Sequence, residues 1–98
     1  MHIIARTKLI SFWEKHPDVE TALKTWFVKV KKAKWKNYSD IKRDFPSADQ
    51  IGNDRIVFDI KGNNYRMICL VFISGQKVFI RFIGTHAEYD KLKNANTI

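Results

Sequence analysis

The sequence predicts an α+β domain: a twisted, mainly antiparallel sheet with two N-terminal helices on one face and a short helix near the C-terminal end. Three observations predict it. Apolar residues recur at helical spacing from Leu9 to Val30. From Arg55 the period changes to two, in three runs separated by short polar turns. A chain of 98 residues with 45% apolar and 13% aromatic content suits one domain, residues 1–98, whose core needs no disulfide.

Met1 to Ile4 is short and apolar enough for a first strand. Leu9, Ile10 and Trp13 then mark a helix that runs to the His16-Pro17 break. Asp18 is placed to cap a second helix, in which Val19, Ala22, Leu23, Trp26, Phe27 and Val30 form one apolar stripe. Residues 37–54, with Ser39, Pro46, Ser47, Gly52 and Asn53, read as a connection containing a turn of helix near Asp40 to Asp44.

The runs RIVFDI, NYRMICLVF and KVFIRFI, joined by KGN and SGQ, predict an antiparallel meander. Tight hairpins that set Ile60 opposite Tyr65 and Phe72 opposite Lys77 fix the register. One face then carries Ile56, Phe58, Ile60, Tyr65, Met67, Cys69, Val71, Val78, Ile80 and Phe82, and must pack against the helices. The other mixes Arg55, Asp59, Arg66, Lys77 and Arg81 with Val57, Ile68, Leu70, Phe72, Phe79 and Ile83. In this register Arg81 sits opposite Ile68 and diagonal to Arg66, at a Cβ separation of roughly 7 to 8 Å, within reach of one phosphate. The alternative is that Arg66 pairs with Asp59 and Arg81 lies over its apolar neighbours, and a one-residue bulge would re-aim either arginine.

Gly84-Thr85 ends the last strand, and Thr85-His86-Ala87-Glu88 matches the S/T-x-x-E capping box, so a helix is expected to begin at His86. Tyr89 and Leu92 can pack back on the sheet, which alone would account for the run. His86 falls in the first helical turn, where the dipole favours a neutral ring that can accept a proton. Arg66, Arg81 and His86 together supply what RNA cleavage by its own 2′-hydroxyl requires: a base, cations for the phosphate and a proton donor for the leaving oxygen. That chemistry calls for no metal or other cofactor.

Charge points the same way. Lys and Arg number 18 against 10 Asp and Glu, a formal +8, which favours an anionic partner. The densest stretch, KVKKAKWK, holds Lys29, Lys31, Lys32, Lys34 and Lys36 beside Trp35. It reads either as a solvated helix end that complements the dipole or as a surface tracking RNA phosphates. Arg55, Lys61 and Lys77 are further RNA-binding candidates on the meander.

Other classes find no support. His2 and His16 show no metal-ligand spacing with each other or with Cys69, and nucleophile motifs and phosphate-cradling glycine loops are absent. One cysteine permits no internal disulfide and fits a reducing cytoplasm. No apolar stretch approaches the roughly 20 residues of a membrane helix, and MHIIARTKL is too short and polar for a signal peptide.

The element order, with KLISFWEKHPD, the GNNYR turn and strand, and FIRFIGTHAEYDKL, resembles the HigB toxins of the RelE superfamily over essentially the whole chain. The resemblance implies a RelE-like fold and a messenger RNA interferase that acts on translated transcripts in the ribosomal decoding site. It also implies growth arrest by the free toxin and neutralisation by a HigA-like helix-turn-helix antitoxin. The family's catalytic positions fall on Arg66, Arg81, His86 and Tyr89, with Lys61 and Lys77 as candidates for its additional lysines. Related toxins of this fold poison DNA gyrase, so a noncatalytic RNA- or protein-binding module is the alternative. A last expectation concerns Ile68, Leu70, Phe72, Phe79 and Ile83: this apolar patch is either an antitoxin-docking surface or is covered by residues 37–54.

Overall fold

The computed structural model describes residues 1–98, and it orders them as β1 (His2–Ile4), α1 (Thr7–Lys15), a 3₁₀ turn (Pro17–Val19), α2 (Glu20–Lys32), α3 (Tyr38–Asp44), β2 (Asp49–Gly52), β3 (Arg55–Ile60), β4 (Tyr65–Phe72), β5 (Lys77–Thr85) and α4 (His86–Asp90). One sheet runs β1-β5-β4-β3-β2, with every pairing antiparallel except β1 on β5. No helix is long and apolar enough to cross a membrane.

The apolar stripe of α2 is core, as its spacing predicts: Val19, Leu23, Trp26 and Val30 are buried. They meet Ile56, Phe58, Ile60, Met67, Cys69, Val71, Val78 and Ile80 from the sheet in one cluster. Phe58 lies at its centre, edge-on to Trp26 and Phe45 and stacked near Trp35. Burying a ring of that size stabilises the fold by about 1.5–3 kcal/mol. The thiol of Cys69 is fully enclosed, and burial pushes its pKa above the ordinary range, so it is an apolar filler.

Asp18 does not cap α2. Pro17 opens a single 3₁₀ turn before that helix, and the Asp18 carboxylate instead accepts hydrogen bonds from the Tyr65 hydroxyl at 2.8 and 3.0 Å and from Lys61 Nζ at 3.0 Å. It therefore clasps the N-terminal half to the β3–β4 turn. Residues 37–54 also hold more structure than their composition indicates. Asn37 caps α3 by accepting from the Asp40 amide, and Asp49–Gly52 adds β2 to the sheet edge. Left-handed residues Gly52, Asn53 and Asp54 then turn the chain into β3.

The expected hairpin register holds at both turns, with Ile60 opposite Tyr65 and Phe72 opposite Lys77, but it breaks in the middle of β5. Cys69 pairs with Ile80 whereas Ile68 pairs with Phe82, leaving Arg81 as the extra residue of a β-bulge. Every residue beyond it changes sides relative to the expectation. Ile83, opposite Met67, packs against the core, and Phe82 joins the other face.

That other face is not the open patch expected of it. Residues 37–54 do not lie across it; the chain after α4 does. The Asn53 side chain donates to the Asn96 carbonyl, and Arg55 donates to the Ile98 carbonyl at 2.8 and 3.2 Å. Val57 and Ile68 on this face are consequently buried although they lie outside the helix-side core, while Phe72 stays half exposed.

Candidate functional site

The end of β5 gathers the expected side chains through three local devices. The first is the capping box: the Glu88 amide donates to Thr85 Oγ1 at 3.1 Å, and the Thr85 amide donates to Glu88 Oε1 at 2.8 Å. This carboxylate is held below its usual pKa, chiefly by the Thr85 amide. Helix α4 thus starts at His86 as the motif predicts. The second is Gly84, inside β5 rather than at its end. A Cβ there would meet Phe82 Cζ at 2.6 Å and Glu88 Oε1 at 3.1 Å, so any larger residue would have to push the ring tip aside and crowd the carboxylate.

The third device is the β3–β4 turn. The Asn64 carbonyl accepts from the His86 amide at 3.1 Å, and the neighbouring Asn63 side chain accepts from Arg66 Nη2 at 3.1 Å. Adjacent turn residues therefore hold the histidine's backbone and the arginine's head. Lys61 and Gly62, both left-handed, give the turn its shape.

His86 Nδ1 lies 2.9 Å from Asp90 Oδ2, one helical turn on. In the neutral ring this contact places the proton on Nδ1, and Nε2 is then the acceptor. The imidazole is partly exposed, at 38% of its free area. Arg66, opposite Gly84, stands with its guanidinium carbon 4.8 Å from the centroid of the Tyr89 ring. Its Nε is 3.4 Å from Asp59 Oδ1, near enough for an ion pair but without hydrogen-bond alignment. Arg66, His86 and Tyr89 are thus brought together by one turn and one short helix, and the cross-strand Asp59 pairing weighed from the sequence is present as well.

No hydrogen bond, ion pair or ring contact joins Arg81 to this group. The bulge sets Gly84, not Ile83, opposite Arg66 and removes the diagonal neighbour relation that an unbroken register would give. The Arg81 guanidinium lies over Phe79, 5.7 Å from its centroid.

The RNA-binding candidates divide between the two ends of the sheet. Lys61, bound to Asp18, lies at the His86 end. At the other end Lys31, Lys32, Lys34 and Lys36 surround a cleft with Met1, Trp35 and Gln76, beside Lys77 at the start of β5. Trp35 is buried, its indole donating to Asp44 at 2.9 Å, and offers no ring for a base to stack on. Lys29 donates to the Asp44 carbonyl and covers Phe45; Arg55 is spent on the carbonyls of Asn53 and Ile98. Asn63, Asn64 and Asp90 are the site residues that sequence reasoning missed. The i, i+4 spacing of His86 and Asp90 was the available signal. No three His, Cys, Asp or Glu side chains form a group that could hold a metal ion.

A five-stranded, mostly antiparallel α+β sheet with N-terminal helices and a short capped helix after its last strand is consistent with a RelE-like fold. The model of the HigB toxin family, the RelE-like toxic component of a toxin-antitoxin system, matches residues 19–92, and the chain belongs to that family. It is 35% identical over 92 residues to the mRNA interferase toxin HigB of Escherichia coli K12, covering 92% of this chain and 88% of the relative. The mRNA interferase HigB of Shigella flexneri is similar to the same degree. That of Escherichia coli O6:H1 is 31% identical over 94 residues, covering 94% and 91% of the two chains.

Proposed function

We propose that this toxin cleaves messenger RNA on the ribosome without a metal, by attack of the RNA's own 2′-hydroxyl on the adjacent phosphorus. The observation that carries the reading is the His86–Asp90 pair, held beside Arg66 by one turn, in a chain whose relatives are named mRNA interferases. In the proposed step His86 Nε2 takes the 2′-hydroxyl proton as the new P–O bond forms. Arg66 stabilises the charge that builds on the phosphoryl oxygens. As the P–O5′ bond breaks, the leaving 5′-oxygen takes a proton from water, which leaves a 2′,3′-cyclic phosphate and a 5′-hydroxyl. Asp90 is a positioning residue that fixes the ring, and Tyr89 both aligns Arg66 and offers a face to a base. Arg81, by this account, binds the strand's backbone rather than the reacting phosphate.

The partner in the proposed pair is a HigA-like helix-turn-helix antitoxin with an acidic contact surface, acting in the cytoplasm; a formal charge of +8 suits such a partner. Inducing the protein in cells and mapping transcript 5′ ends tests the reading. Cuts phased to codons, with 5′-hydroxyl ends, are expected. Intact transcripts accompanied by DNA damage would overturn it in favour of a gyrase-directed toxin.

A further inference from the structure

The cleft between α1 and the bulged edge of β5 belongs to none of the groups above. It has a volume of about 370 Å³ and is lined by Thr7, Lys8, Ser11, Phe12 and Lys15 from α1 and by Arg81, Phe82 and Ile83 from β5. Its chemistry is one-sided: three cations, two hydroxyls and no carboxylate. Lys8, Ser11 and Lys15 are exposed and fall at i, i+3 and i+7, one stripe along the helix. Unlike Arg66, Lys61 and Lys24, none of Lys8, Lys15 and Arg81 has a carboxylate partner.

Two features of the sheet make the arrangement specific. Strand β1 covers the edge of β5 only as far as the Ile4–Phe79 pair, so from Ile80 onward this edge has no strand partner. Its outward backbone groups are not used by a β-ladder. The bulge then sits on this uncovered stretch, and a bulge at a sheet edge is a device for re-aiming a side chain. It leaves Arg81 without a residue opposite it on β4, and Arg81 lines the cleft. Beyond Ile83 the same edge leads, within three residues, to His86.

We infer that this cleft is a subsite for RNA phosphodiesters, gripping a strand that passes along the β5 edge on its way to or from His86. The inference deepens the RNA-cleaving reading and rests on it. Two sources supply the same chemistry, the substrate strand and ribosomal RNA, and binding measurements separate them. In a His86→Ala background, where cutting is expected to be slowed by ~10²- to 10⁴-fold, the Lys8→Ala/Lys15→Ala double variant is titrated with a single-stranded RNA oligonucleotide and, in a second arm, with vacant ribosomes, across a range of salt.

Loss of two phosphate contacts lowers the slope of log K against log salt by about 1.4 on single strands. Lys8→Arg/Lys15→Arg keeps the slope. A reduced slope on the oligonucleotide assigns the cleft to the substrate strand; a reduced slope only on ribosomes assigns it to ribosomal RNA. Unchanged slopes in both arms overturn the proposal, and so does a defect seen only in binding the antitoxin. Because these arms read binding to uncut RNA, absence of transcript cleavage by the wild-type toxin would count against the cleavage reading and leave this result to be judged separately.

Discussion

The two ends of β5 are both basic, yet they are built on opposite plans. Around Lys77 the cations are free: Lys31, Lys32, Lys34 and Lys36 are exposed, have no carboxylate partners, and surround an open cleft. Around Thr85 the chemically useful groups are tethered: His86 to Asp90, Arg66 to Asn63 and Asp59, and Lys61 to Asp18. Density of charge attracts an anion from any direction, whereas a fixed orientation is needed to act on one bond. Under the proposed function, attraction falls to the first end and chemistry to the second.

The contrast breaks most sharply at His86. His86→Ala should lower cleavage by the ~10²- to 10⁴-fold typical of losing a general acid or base, with ribosome binding retained. Full toxicity of this variant at equal expression would leave the tethered end with no base and collapse the distinction.

Gly84→Ala tests whether the tethered end depends on close approach. The new methyl collides with Phe82 and Glu88, so we expect a loss of about 1–3 kcal/mol in urea unfolding together with a fall in cleavage. Wild-type stability would show that α4 does not need the glycine. The cap is the smaller version of the same test: Thr85→Ala should cost about 1 kcal/mol, and Thr85→Ser should recover most of it.

At the free end the expectation is milder. Replacing Lys31, Lys32 and Lys34 by alanine should weaken ribosome association and flatten its salt dependence while sparing the chemical step. The smallest effect is the pH dependence of stability. Asp18, through bonds from Lys61 and Tyr65, and Glu88, through the Thr85 amide, have carboxyl pKa values below their ordinary ones. A depressed folded-state pKa gives stability that is present above the unfolded value and is lost as pH falls through the folded one. Unfolding midpoints should therefore decline on acidification below the ordinary carboxylate range, and less steeply for Glu88→Gln.

Much of the tethered end was legible in the sequence, because its devices are local. Thr85-x-x-Glu88 announces a cap, and alternation in β3 and β4 fixes which residues face the helices. The bulge was not, for a physical reason. In FIRFI the residues on both sides of Arg81 are apolar, so a one-residue slip exchanges Phe82 for Ile83 with no change of polarity, and the pattern carries no mark of it. Strand β2 was hidden because DQIG earns its place by backbone pairing at an edge, not by alternation. The strap over the mixed face was hidden because Asn53 and Arg55 reach carbonyls about forty residues away in sequence, a contact no local pattern encodes.

Single-turnover cleavage of a messenger bound to reconstituted ribosomes, measured across toxin concentrations, tests the division between the two ends most directly, because it yields the rate at saturation and the half-saturating concentration separately. The account predicts that His86→Ala lowers the saturating rate by at least ~10²-fold at near-unchanged half-saturation, and that the Lys31/Lys32/Lys34 variant raises half-saturation at an unchanged saturating rate. A saturating rate that falls with the lysines and survives the loss of His86 would contradict it.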